Sequence, residues 1–212
     1  YIFLSKSLVI FLRGDVMLLR GIFAAFSLLI ISATAMADSV DVNLRNNSAQ
    51  FQYIASMGHD TLGKAEMHAG VIYVNQKNLL GDLGILVKDE VGKSVPGLSV
   101  GVGIKGLTAK TNGNNSLAPG NNMAALAIGG MVRYAPFPDR RFGIVGQLYL
   151  SPNIVTFGDA DRYTETGVRF EYEIIPQAAA YLGYRRINFG LKSVFSDVTL
   201  DEGAFLGVRI MF

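Results

Sequence analysis

The sequence predicts an all-β protein, a single closed antiparallel up-and-down transmembrane β-barrel of about ten strands, preceded by a cleavable signal peptide. Three observations predict it. Apolar residues recur at every second position along many segments, which is typical of strands with two different faces. After residue 37 no apolar run is long enough for a spanning helix, which needs about twenty residues. The chain has no cysteine, so strand closure and packing must stabilise it without disulfides.

The N-terminal region predicts export. Met17 to Arg20 is a positively charged start, residues 22–31 form an apolar run, and Ala35-Met36-Ala37 has the small residues of a cleavage site. We therefore assign residues 17–37 to a signal peptide and residues 38–212 to the barrel domain. Residues 1–16 are interpreted as over-translation upstream of the true start, with a membrane anchor as the alternative.

Composition leaves the predicted barrel domain nearly neutral. Residues 38–212 carry 16 of the 19 basic and 16 of the 17 acidic side chains. Nucleic-acid binding requires a basic face, so no nucleic-acid partner is predicted.

The first five predicted strands lie between residues 40 and 110. They span 40–45, 49–57, 65–76, 79–88 and 98–110. In the fifth strand Val100 and Val102 alternate with Gly101 and Gly103, which gives one apolar face and one face of small residues. Asn46-Asn47 predicts a tight turn between the first two strands.

The other five predicted strands end the chain. They span 123–134, 142–150, 163–175, 178–190 and 204–212. In the third of these, Val168 and Phe170 face one way while Arg169 and Glu171 face the other. Near Arg186 the alternation becomes unclear, which is expected either at a β-bulge or where the strand leaves the membrane. An even strand number puts both ends of the domain on the periplasmic side, and eight strands is the fallback.

Connections in the second half follow the expected asymmetry of outer-membrane barrels, long outside and short inside. Residues 111–122, 151–162 and 191–202 are predicted as long loops, whereas 135–141 and 176–177 are short turns. In the first half the pattern reverses, because 58–63 and 89–97 are the longer connections.

The polar strand faces mix small residues with charges of both signs, which suits the interior of a narrow barrel. We interpret them as an internal ion-pair ladder that fills the lumen, because unpaired charges there would cost several kcal/mol each. A solvated sheet face with surface ion pairs is the alternative. The predicted lumen residues are Lys105, Arg133, Glu165, Arg169, Glu171, Glu173, Arg185 and Arg209.

The last strand predicts partners. Val208, Ile210 and Phe212 form an alternating apolar row ending on an aromatic ring, which looks like the signal that bacterial outer-membrane barrels present to their assembly machinery. Outer-membrane lipid and lipopolysaccharide are the other expected partners, since such a barrel turns its apolar face to lipid. The predicted location is the outer membrane of a Gram-negative cell. A buried strand of a soluble sandwich is the alternative.

Several short segments of the sequence resemble the YfaZ family of small outer-membrane proteins. The resemblance covers nearly all of residues 38–212 and implies an outer-membrane barrel; it supplies no catalytic residues. The segments that carry it are Asn47-Ser48-Ala49-Gln50-Phe51, Gly129-Gly130-Met131-Val132-Arg133-Tyr134, Tyr149-Leu150-Ser151-Pro152, Phe157-Gly158-Asp159-Ala160-Asp161, Gly183-Tyr184-Arg185 and Asp197-Val198-Thr199-Leu200-Asp201-Glu202-Gly203-Ala204, with Phe212 at the end.

Three motifs contain residue types found in catalytic or binding sites, but no catalytic, cofactor or metal residues are predicted. Residues 101–106 fit G-x-G-x-x-G, but a dinucleotide site needs a helix after the motif, and here the strand continues. His59 and His68 have no serine at an evident spacing for nucleophilic catalysis. Asp159 and Asp161 could offer oxygen ligands to calcium, although a turn in which Asp159 caps its own backbone is favoured.

The predicted function is that of a small outer-membrane barrel with a largely side-chain-filled lumen, acting structurally or through its surface loops, and not as an enzyme. Three alternatives remain. The first is a narrow channel for small solutes, and the second is an outer-membrane lipid hydrolase that uses His59 or His68. The third is a periplasmic lipocalin-like carrier, in which the apolar faces would point inward.

Overall fold

A computed structural model describes residues 38–60, 63–74, 78–91, 95–111, 121–136, 140–192 and 197–212. The assignments of residues 1–16 and 17–37 lie outside this part of the chain. The strands are β1 Ser39–Leu44, β2 Ser48–Asp60, β3 Gly63–Val74, β4 Asn78–Glu90, β5 Leu98–Lys110, β6 Asn122–Tyr134, β7 Phe142–Ser151, β8 Thr156–Gly158, β9 Ala160–Ile175, β10 Ala178–Leu191 and β11 Asp197–Met211. A 3₁₀ turn, Asn153–Val155, precedes β8.

The strands close into an antiparallel barrel of ten long strands, as predicted; the eight-strand fallback is wrong. Each long strand pairs with the next along the chain, β7 pairs with β9, and β11 closes the circle on β1. The short β8 pairs only with the beginning of β6. No helix of the described residues has the length and apolar character needed to cross a membrane.

Both ends of the described barrel lie at one end of the cylinder. The Asp38 N–H donates to Phe212 O at 3.1 Å, and the Phe212 N–H donates to Asp38 O at 2.9 Å. We call this the terminus end and the opposite one, which carries the connections after β1, β3, β5, β7 and β10, the loop end.

Three predicted loops are wrong because strand pairing continues through them. Residues 58–63 are mostly strand: β2 runs to Asp60 and β3 begins at Gly63, whose φ of 113° suits a tight reversal. Residues 151–162 contain the 3₁₀ turn, β8 and the start of β9, and β11 begins at Asp197 inside the predicted loop 191–202. Of the two connections in the first half that were predicted to be long at the end where short turns are expected, only the β4–β5 connection is therefore long.

The irregularity expected near Arg186 is a β-bulge, and it lies on β11. Ile187 pairs with Asp201 and Asn188 pairs with Thr199, so that Leu200 is the extra residue. Because of the bulge, the consecutive residues Leu200 and Asp201 are both buried inside the barrel, where strict alternation would turn one of them outward.

The apolar row of each strand points away from the barrel axis, as predicted. Val168, Phe170 and Ile210 are exposed, whereas Glu171 and Arg185 are buried. The lipocalin-like alternative requires the opposite arrangement, and the closed cylinder excludes a sandwich; both alternatives are wrong.

The interior at the loop end is apolar, which the sequence did not predict. Buried side chains from eight of the ten long strands pack together there, and we call this set the apolar cluster. Tyr163 is one of its aromatic members. Its members are Ile72, Val74, Leu80, Leu107, Ala109, Met123, Ala125, Ala127, Tyr149, Ala160, Tyr163, Ile187, Phe189 and Leu200.

Close contact with a neighbouring strand makes Gly130 of β6 hard to replace. A Cβ on Gly130 would lie 2.1 Å from the backbone oxygen of Gly101, whereas a Cβ on Gly146 would meet nothing within 4 Å. We expect Gly130→Ala to lower the free energy of unfolding by about 1–3 kcal/mol, because the neighbouring backbone must move. The matched variant Gly146→Ala should change it by no more than about 0.5 kcal/mol. Urea unfolding of both variants tests this, and equal losses would contradict it.

Candidate functional site

The candidate site is the polar interior, which is built from three groups of charged side chains. The first, the Glu171 cluster, lies nearest the terminus end. Arg169 Nε donates to Glu171 Oε1 at 2.7 Å, and Arg133 Nε and Arg209 Nη1 approach the same carboxylate at 3.4 and 3.6 Å. Arg209 Nη2 also donates to Asp41 Oδ2 at 2.9 Å, and Tyr181 donates its hydroxyl to Asp41.

The second group, the Glu165 cluster, lies midway along the barrel. Lys105 Nζ donates to Glu165 Oε2 at 2.7 Å and Gln147 Nε2 donates to Oε1 at 2.9 Å. The Tyr163 hydroxyl, which belongs to the apolar cluster above, donates to the same carboxylate. Lys105 also lies 4.3 Å from the centre of the Tyr149 ring, a cation–π distance. Glu165 thus receives three donors from three strands.

The third group, the Asp201 cluster, joins the first strands to the last. Arg185 Nη2 donates to Asp201 Oδ2 and Arg45 Nη1 donates to Asp201 Oδ1, both at 2.6 Å. Arg185 also donates to the side-chain oxygen of Gln50, which accepts from Asn43 Nδ2 at 2.7 Å. A nearly inaccessible carboxylate is therefore paired with two arginines.

A small cavity separates the three clusters. It has about 80 Å³ of free space and is lined by polar side chains from opposite walls, including Gln52, His68, Gln147 and Arg209. The carboxylates of the three clusters that surround the cavity are each paired with lysine or arginine side chains, so these charges are held in fixed positions.

The sequence was compared with models of known protein families and with curated proteins. The family model described as YfaZ precursor matches residues 20–212. The chain belongs to the YfaZ family. No curated protein matches the chain. The matched range covers all ten long strands of this YfaZ barrel, and the description as a precursor is consistent with an exported protein.

The residues predicted for the lumen all lie on the inner face of the YfaZ barrel strands. Six of the eight pair with one another, and Arg185 pairs with Asp201, which was not among the predicted lumen residues. Glu173 lies half-buried near the terminus end, outside the three clusters. Sequence reasoning missed Asp41 and Asp201 as partners; the alternation in β1 pointed to Asp41, whereas Asp201 fell in a predicted loop.

The G-x-G-x-x-G motif, His68 and Asp159 have structural positions in the barrel. Residues 101–106 lie in the middle of β5, with no helix after them. His68 lines the cavity; the side chain of His59 lies outside the described atoms. Asp159 Oδ2 accepts the Asn122 N–H at 3.0 Å, so it caps a neighbouring strand and the expectation that it caps its own backbone is wrong. The described residues contain no group of three or more side chains arranged for a metal ion.

Proposed function

We propose that this YfaZ protein is a small outer-membrane β-barrel whose filled lumen does not conduct solutes, and that it acts structurally or through its surface loops. One observation carries the proposal: the apolar strand faces point outward all around the cylinder while the paired charges point inward. This inverts the arrangement of a soluble barrel and is typical of barrels that span a bilayer.

The exposed surface supports the membrane assignment. Every long strand contributes outward-facing apolar side chains, and adjacent strands place them side by side, for example Ile104 with Ile128 and Leu182 with Leu206. A soluble monomer rarely exposes apolar patches beyond a few hundred Å². In a bilayer these apolar side chains contact hydrocarbon and no longer water. A closed barrel also leaves no unpaired strand edge in the hydrocarbon.

The proposed partners follow from the same surface. Membrane lipid and lipopolysaccharide contact the outer wall, and the barrel assembly machinery reads the outward row Val208, Ile210 and Phe212 of the terminal strand. All three side chains are exposed. The proposal assigns no catalytic step.

Fractionation and conductance test the proposal together. After expression in a Gram-negative host, we expect the protein in the outer-membrane fraction, migrating as a compact band that shifts when the sample is boiled. In planar bilayers the purified protein should give no discrete current steps. Recovery as a soluble periplasmic protein would overturn the membrane assignment. Regular current steps would contradict the filled lumen and favour the narrow-channel alternative.

A further inference from the structure

We infer that the polar lumen is a blind recess, open to water and small hydrophilic solutes at the terminus end and sealed at the loop end by the apolar cluster. This goes beyond the proposed function, because it assigns the side from which the interior is reached. In an outer-membrane barrel that side is the periplasm, since the chain termini and short turns lie there.

Among the inward-facing basic side chains of the strands, exposure falls from the terminus end toward the loop end. At the terminus end Lys88 and Arg133 are 31% and 30% exposed, and Arg209 in the same cluster as Arg133 is 19% exposed. Lys105, midway along the barrel, is 13% exposed, and Arg185, which binds Asp201 toward the loop end, is 4% exposed. Solvent therefore enters the lumen from the terminus end and is progressively excluded toward the other.

The apolar cluster removes the second opening. Its largest members, Tyr163 and Phe189, are fully buried, with ring centres 5.0 Å apart, and Ile72, Leu80 and Met123 complete the filled cross-section. Apolar interiors of this kind stay dry, because water there would find too few polar partners. A hydrophilic solute that entered the recess would meet this layer and could not pass it.

The cavity marks the inner limit of the recess. Its volume of about 80 Å³ is lined by Gln52, His68, Gln147 and Arg209, so a molecule inside can form hydrogen bonds on several sides. At about 10–15 Å³ for each water, it holds roughly five to eight waters. The recess thus suits water and solutes of a few heavy atoms.

The absence of native cysteine allows a direct test by single-cysteine labelling. Gln52→Cys reports the recess and Ala109→Cys, a nearly isosteric change, reports the apolar cluster. Gln177→Cys and Ile154→Cys report the outer surface of the terminus end and of the loop end, since both residues are exposed. In detergent micelles, Gln52→Cys should react with a small cationic thiosulfonate, and Ala109→Cys at least about 100-fold more slowly, because a buried thiol reacts only through local opening.

Sidedness is read in proteoliposomes with the same membrane-impermeant reagent. The labelled fraction of Gln52→Cys should equal that of Gln177→Cys and differ from that of Ile154→Cys, whichever orientation the protein adopts. A match to Ile154→Cys, or equal rates for Ala109→Cys and Gln52→Cys, would overturn the blind recess. Complete labelling of both surface variants would instead show that the protein does not insert, which contradicts the proposed function and leaves the micelle comparison to decide the recess.

Discussion

Asp201→Ala is expected to lower the free energy of unfolding by about 3–5 kcal/mol, the range for removing one partner of a buried ion pair. The carboxylate binds Arg185 and Arg45, each at 2.6 Å. Without it Arg185, which is nearly inaccessible to solvent, keeps only its hydrogen bond to Gln50. Urea unfolding of the refolded barrel, followed by the change in gel migration, measures the loss.

The adjacent residue supplies a matched control. Glu202 pairs with Arg186 at 3.6 Å, and both side chains are largely exposed. Glu202→Ala should therefore cost no more than about 1 kcal/mol, as for other surface pairs. The double variant Asp201→Leu/Arg185→Met, which removes both charges, should recover much of the stability lost in Asp201→Ala. Similar losses for Asp201→Ala and Glu202→Ala would contradict the role given to the Asp201 cluster.

Phe189→Ala is expected to have an effect of similar size, about 3–5 kcal/mol, because it opens a cavity in a packed interior. The Phe189 ring is completely buried and packs against Tyr163 in the middle of the apolar cluster. Thermal or urea unfolding in micelles gives the change in stability.

Phe157→Ala is the control for this second prediction. Phe157 belongs to β8 at the same end of the barrel, but its ring is exposed. Its truncation should change the free energy of unfolding by about 0.5 kcal/mol or less. Equal effects at Phe189 and Phe157 would mean that the loop end is not a packed interior.

The sequence was sufficient to predict the barrel because alternation by two is a local property. In β9 the row Val168 and Phe170 opposes Arg169 and Glu171, and this pattern separates the two faces of the strand. The mixture of small residues and charges of both signs on the polar faces then indicated that these point inward. The strand number and the closure of β1 on β11 followed from counting such segments.

The partners inside the lumen depend on register, which alternation does not determine. Asp201 faces inward in phase with Phe205 and Arg209, but it lay in the predicted loop 191–202; Leu200 faces inward as well because the bulge there shifts the phase of β11 by one residue. The sequence did not predict the apolar cluster, because Ile187 and Leu200 lie near the loop end of their strands, beyond the row of outward-facing apolar residues. An apolar residue at such a position can be assigned to a loop or to the outer face as easily as to the interior.

Spin labelling of outward and inward positions tests the central claim most directly. Single cysteines at Leu148 and Leu182 place a nitroxide on the outer wall, and one at Gln147 places it in the lumen. In lipid vesicles, the outward labels should collide readily with oxygen, which concentrates in hydrocarbon, and rarely with a water-soluble nickel chelate, while the Gln147 label should show little oxygen contact. Outward labels that collide freely with the nickel chelate would place the apolar faces in water and contradict the membrane barrel.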